Sequence, residues 1–127
     1  MMKKGLSMSV LSVMGLMVLL TLSGCESKDP SVLKIFVRSM NNELITGAQV
    51  IVIGDLNSNP PTNPYVDTVL TNESGFAAFN MDEYFKDAGE ETVGFFNIIV
   101  KYDPKTVEGH VKCREHITAV ETLYLPN

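Results

Sequence analysis

The chain contains no tryptophan, two cysteines and two histidines. Each shortage removes a class of function. One cysteine pair cannot make the disulfide framework of a small secreted scaffold, and four Cys and His residues cannot fill two zinc centres. Basic residues are also few, with ten Lys and Arg against fifteen Asp and Glu and a formal charge of −5. Nucleic-acid binding needs Lys and Arg aligned against phosphate, so the charge excludes that partner. There is no Gly-x-Ser-x-Gly elbow and no phosphate-binding glycine loop. Internal repeats and heptads are absent.

Only one long apolar run is present, and it lies at the start. Met1 to Lys4 supply a cationic beginning through Lys3 and Lys4, and positions 6–22 carry no charge. Ser23 and Gly24, both small, then precede Cys25. A positive start, an apolar stretch and small residues before a cut describe a secretory signal. The run is long enough to weigh against a membrane-spanning helix of about 20 residues, and the small pair before the cysteine separates the two readings.

Leu22-Ser23-Gly24-Cys25 resembles the lipobox of bacterial lipoproteins: an aliphatic residue, two small residues, then cysteine. The resemblance implies cleavage between Gly24 and Cys25, diacylation of the Cys25 sulfur and acylation of the new amine. Several acyl chains hold a protein stably on a bilayer where one does not. Residues 1–24 are then a signal peptide and 25–31 a lipidated N-terminus and tether, followed by a domain over 32–127. The mature chain has 103 residues and, without Lys3 and Lys4, a formal charge of −7. Glu26 follows the cysteine. It is not the Asp that resembles an inner-membrane retention signal in enterobacterial lipoproteins, so the outer membrane is the expected location. Acidic residues there also resemble surface-export signals of some Bacteroidetes lipoproteins.

The mature chain reads as strands. Leu33, Ile35 and Val37 alternate with Lys34 and Arg38, the pattern of a half-buried strand over 32–38. Positions 48–53 are apolar on both faces and suit a central strand. Positions 54–64 are rich in Pro and Asn and read as an exposed loop. Positions 66–71 and 76–79 read as a hairpin around Asn72-Glu73-Ser74-Gly75, with Gly75 free to take positive φ. Positions 81–88 predict a short helix capped by Asn80 or Asp82 and stopped by Gly89. In 95–102, Phe96, Ile98, Val100 and Tyr102 point one way. Strands over 110–116 and 118–125 complete an all-β, seven-stranded antiparallel sandwich.

Three stretches resemble the carboxypeptidase-regulatory-like β-sandwiches, which are transthyretin-like and Ig-like in shape. They are Gly47-Ala48-Gln49-Val50, Thr71-Asn72-Glu73-Ser74-Gly75-Phe76 and Phe96-Asn97-Ile98-Ile99-Val100. The resemblance implies a non-catalytic module, similar to uncharacterised Bacteroidetes lipoproteins. It implies no cofactor beyond the lipid. Loops 54–64 and 81–94 are the expected contacts for an envelope protein or glycan.

The alternative is a small metal-dependent enzyme or metal-binding protein using His110 and His116, with Cys113 between them. On a strand the two histidines share a face and Cys113 points to the other, leaving two exposed imidazoles and a buried thiol. Asp55, Asn57 and Asn59 start like a calcium loop, but Pro60 stands where glycine is needed. Intradiol dioxygenases also have the transthyretin shape. They bind iron through two Tyr and two His, but their His-x-His is missing here. Lys34 is the one candidate for an adhesin-type isopeptide lysine, and Asn127 is the only late asparagine.

Overall fold

The computed structural model describes residues 28–127. The proposed signal peptide, its cleavage site and Cys25 lie outside the described residues. In chain order the elements are β1 (Val32–Ser39), β2 (Gln49–Gly54), β3 (Val66–Leu70), β4 (Phe76–Asn80), α1 (Asp82–Asp87), β5 (Val93–Tyr102), β6 (Lys105–Arg114) and β7 (Thr118–Leu125). They form two facing sheets, one ordered β4-β1-β7 and the other β3-β2-β5-β6. This is the all-β sandwich expected from the alternation.

The alternation dictates the core. Leu33, Ile35 and Val37 of β1 are fully buried and face Val50 and Val52 of β2 and Ile98 and Val100 of β5. β2 lies between β3 and β5, as a strand apolar on both faces should. One end of the core is aromatic. Tyr84 of α1 makes edge contacts with Tyr65, Phe85 and Phe96 at centroid distances of 5.7, 5.1 and 5.2 Å. Such tilted pairs set positive ring edges against negative faces.

Two features depart from the expected topology. First, β1 and β7 pair in parallel, from Val32↔Thr118 to Ser39↔Leu125, although every other pairing is antiparallel. A parallel pair needs a long connection, and strands at opposite ends of the domain have one. Second, β3 and β4 are not hairpin partners. β3 pairs with β2, and β4 with β1. The turn between them is a corner joining the two sheets.

Thr71 fixes that corner. Its buried hydroxyl donates to the Ile45 carbonyl at 2.7 Å and accepts from the Ala48 N–H at 2.9 Å. Asn72 Oδ1 accepts from the N–H groups of Ser74 and Phe76, and the Gly75 carbonyl accepts from the Val37 N–H, which starts the pairing of β4 with β1. Gly75 has φ of 79°, as anticipated for a turn glycine. Local hydrogen bonding is the same for a hairpin and a corner. The choice is made by which sheet Phe79 and Ala77 can bury against, and that is a long-range matter.

The helix forms where expected, but neither Asn80 nor Asp82 caps it. The N-cap is Met81, which makes no side-chain cap bond, because Asn80 lies one residue too early, where its Oδ1 accepts from the Asp82 N–H at 2.9 Å. Gly89 follows the helix with φ of 72°. Gly54 belongs to β2 and not to the following loop. Tyr102 shares the phase of Phe96, Ile98 and Val100 but lies past the core and is 43% exposed.

Candidate functional site

Strand direction sorts the connections into two ends. At one end lie residues 28–31, the 55–65 loop, α1 with the chain to 92, and the turn at 115–117. At the other lie the β1–β2 connection, the Asn72–Gly75 corner and the β5–β6 turn. Both loops expected to meet a partner therefore surround the point where the N-terminal segment enters.

Residues 29–31 are not a free tether. Ser31 is fully buried. Its N–H donates to Asp82 Oδ1 at 2.7 Å, its hydroxyl accepts from the His116 N–H at 2.7 Å, and its carbonyl accepts from the Met81 N–H at 2.8 Å. His116 Nδ1 lies 2.8 Å from the Asp29 carbonyl, and Nε2 lies 3.2 Å from Glu115 Oε1. Phe85 and Lys86 complete the wall of an open cleft of about 440 Å³ beside this segment. In sequence Asp82 reads as a helix cap and His116 as a strand residue, and neither signal points to the N-terminal segment.

The histidine–cysteine cluster is not assembled. His110 is on the outer face of β6, where its Nδ1 meets Asn97 Oδ1 of β5 at 2.7 Å. Cys113 points inward and is fully buried, and burial pushes its thiol up to about 11. His116 is not a strand residue. It lies in the turn after β6 with φ of 63°, and its backbone and ring are engaged with the N-terminal segment. A left-handed residue ends the ladder, and so the strand phase that put both imidazoles on one face stops at Arg114. Among the described residues, no group of three His, Cys, Asp or Glu side chains is close enough to hold a metal ion.

Tyrosine and histidine do not gather either. Tyr65 and Tyr84 are in the aromatic cluster, Tyr124 is on the outer face of β7, and His110 is on the outer face of the other sheet. Burial raises the Tyr84 hydroxyl, and burial with the adjacent Asp67 carboxylate pushes Tyr65 up to about 12. Both phenols therefore stay neutral and act as packing groups. Lys34 sits over the Phe76 ring at 4.6 Å.

The 55–65 loop is tightly organised. Asp55 Oδ1 accepts from the Asn57 N–H, and Ser58 bonds to the carbonyls of Asp55 and Pro60. Thr62 is buried. Its hydroxyl accepts from the Phe95 N–H at 2.9 Å, which ties the loop to β5. The Asp and Asn side chains serve the turn itself.

The opposite end has a different character. Met40, Leu44, Leu70 and Tyr102 are 57, 50, 61 and 43% exposed there. Gly47, Gln49, Leu70, Lys101, Tyr102 and Asp103 line a shallow depression of about 370 Å³. Of the four, Leu70 and Tyr102 share this depression with polar neighbours, and exposed apolar side chains rimmed by polar ones are a common mark of protein contact.

No protein-family model and no curated protein matches the chain. Solved structures do. The Bacillus anthracis TIE protein aligns with a TM-score of 0.53 and 17% identity, over 78% of this chain and 17% of that one. The 3-chlorocatechol 1,2-dioxygenase of Rhodococcus opacus aligns with a TM-score of 0.53 and 9% identity, over 80% of this chain and 62% of the enzyme. The chain thus spans less than two thirds of either neighbour. At these identities the likeness is one of fold, and the fold these neighbours share with the chain is the β-sandwich.

Proposed function

We propose that this protein is a lipid-anchored component of the bacterial cell envelope, on the outer membrane. Its sandwich serves as a non-catalytic module that binds or supports an envelope protein or glycan. The observation that carries this reading is Leu22-Ser23-Gly24-Cys25 behind an uncharged apolar run. Cys25 holds the lipid, and the module needs no further cofactor. An acidic domain gives no basis for nucleic acid as a partner.

The strand geometry supports a particular presentation. With the anchor at the N-terminal end, the surface bearing Met40, Leu44, Leu70 and Tyr102 points away from the bilayer. That far end, and not loops 55–65 and 81–92, is then the partner surface.

The decisive experiment is a Cys25→Ser substitution in the native host with intact-mass spectrometry of both forms. The wild type should begin at Cys25 and carry acyl chains. The variant should lack them and keep its signal segment. A wild-type chain that starts at Met1 without fatty acid ends this reading. Crosslinking from position 40 tests the partner surface and should capture an envelope component lost in Leu44→Glu.

A further inference from the structure

We propose that the end of the sandwich around the N-terminal segment is itself a lipid-contact surface, seated on a zwitterionic bilayer with Leu56 and Ile117 at headgroup depth. This rests on the lipid-anchor reading of Cys25.

Reach keeps this end close to the bilayer. His116 holds the carbonyl of Asp29 to the domain, and Asp29 is four positions after Cys25. Even fully extended, four residues span no more than about 14 Å. An acylated Cys25 sits at the headgroup boundary, so the domain end cannot stand far above it. Free movement of 29–31 would lengthen the leash, but the bonds to Ser31 from Asp82, Met81 and His116 prevent it.

This end displays two large apolar side chains. Leu56 is 57% exposed and Ile117 is 52% exposed. Ile117 is next to the entry point, since its carbonyl accepts from the Val32 N–H at 3.2 Å. Leu56 is held on a turn closed by the bonds that Ser58 and Asn57 donate to Asp55. Two large apolar side chains on short, hydrogen-bonded turns are presented without an ordering cost when they meet an apolar layer.

Charge selects the lipid. Asp29, Asp82, Glu83, Asp87, Glu90 and Glu91 are exposed at or beside this end, against Lys28, Lys86, Lys112 and Arg114 as the nearby cations, so the acidic groups are in excess. Anionic headgroups repel such a surface within about a Debye length, roughly 8 Å at physiological salt. Zwitterionic headgroups do not.

The test uses the acylated protein purified from its host and reconstituted in phosphatidylethanolamine–phosphatidylcholine vesicles. Leu56→Cys, Ile117→Cys and Glu43→Cys variants carry an environment-sensitive fluorophore, and lipids with a headgroup quencher report proximity. Positions 56 and 117 should be quenched at least about twofold more than position 43, and the difference should shrink when phosphatidylglycerol is added. Equal quenching at all three positions in an acylated protein overturns the contact surface and leaves the anchor intact. A protein that carries no acyl chain by mass and does not bind vesicles overturns both. Crosslinking of positions 56 and 117 to another protein in native membranes, with no lipid quenching in the vesicles, assigns this end to a protein partner and overturns the proposal.

Discussion

The Nδ1 atom of His116 lies 2.8 Å from the carbonyl oxygen of Asp29, 87 positions earlier in the chain. A carbonyl can only accept, so Nδ1 carries the proton. Replacing His116 with Ala removes this bond and leaves a β-carbon in a left-handed conformation. The expected loss is about 1–2 kcal/mol, with faster amide exchange at Ser31. His116→Asn should lose less, because asparagine tolerates positive φ. Unchanged exchange at Ser31 in the alanine variant would show that the contact does not hold the segment.

Ser31→Ala should cost more than its size suggests. The side chain is buried and accepts from the His116 N–H, which is left without that partner. A buried donor without an acceptor costs about 1–3 kcal/mol, readable as a lower urea midpoint at unchanged slope.

Gly75→Ala tests the corner between the sheets. At φ of 79° an added β-carbon meets Leu44 Cβ at 3.0 Å. The conformation alone costs about 1–2 kcal/mol. Adding Leu44→Ala removes the Cδ2 contact at 3.1 Å but keeps the β-carbon, so it recovers only part of the crowding and none of the conformational cost, and the double variant stays below Leu44→Ala in stability.

Asp67 guards an open edge. In β3 the bonds from Gly54 to Tyr65 and from Thr71 to Ala48 set a two-residue repeat, which turns the Thr68 N–H away from β2. Asp67 Oδ1 accepts from that N–H at 2.8 Å. Asp67→Ala exposes the donor between Val66 and Leu70, which are 70 and 61% exposed. Concentration-dependent association should follow in sedimentation velocity, because bare apolar edges pair.

Stability should fall in alkali. Burial raises Cys113 from 9.0 to about 11, and burial with Asp67 raises Tyr65 from 10.0 to about 12. The fold favours the protonated forms, so their contribution is complete below pH 9. It declines as the unfolded chain ionises first, and it is gone once the folded groups ionise near 11 and 12. Cys113 alone accounts for an amount on the order of 2 kcal/mol. Urea unfolding of wild type and Cys113→Ala between pH 8 and 11 measures it. Identical pH slopes would remove Cys113 as a cause.

Much of this fold was legible because alternation is a local signal. Leu33, Ile35 and Val37 announce β1, and the doubly apolar β2 announces its central place. The helix and its end at Gly89 are readable, whereas its cap is Met81 and not Asn80 or Asp82. What escaped depends on distant partners. Asn72 and Gly75 shape their turn equally well in a hairpin or a corner. Nothing near Val32 reveals that it will pair in parallel with Thr118. His116 was read as a strand residue because only its positive φ, set by Ser31 and Asp29 from the far side of the sequence, removes it from the ladder. The two loops richest in Asn, Pro and acidic residues were visible, but their shared location beside the N-terminal segment follows from strand directions alone.

The parallel β1–β7 ladder also bears on force. Any pull on the N-terminal segment is directed along β1, from Val32 outward, while the rungs to Thr118 through Leu125 lie across that line. Loaded in this way, the rungs share the tension and must yield together, whereas a hairpin opened from its end gives way one rung at a time. The domain is therefore built to resist being peeled apart by whatever holds its first residues.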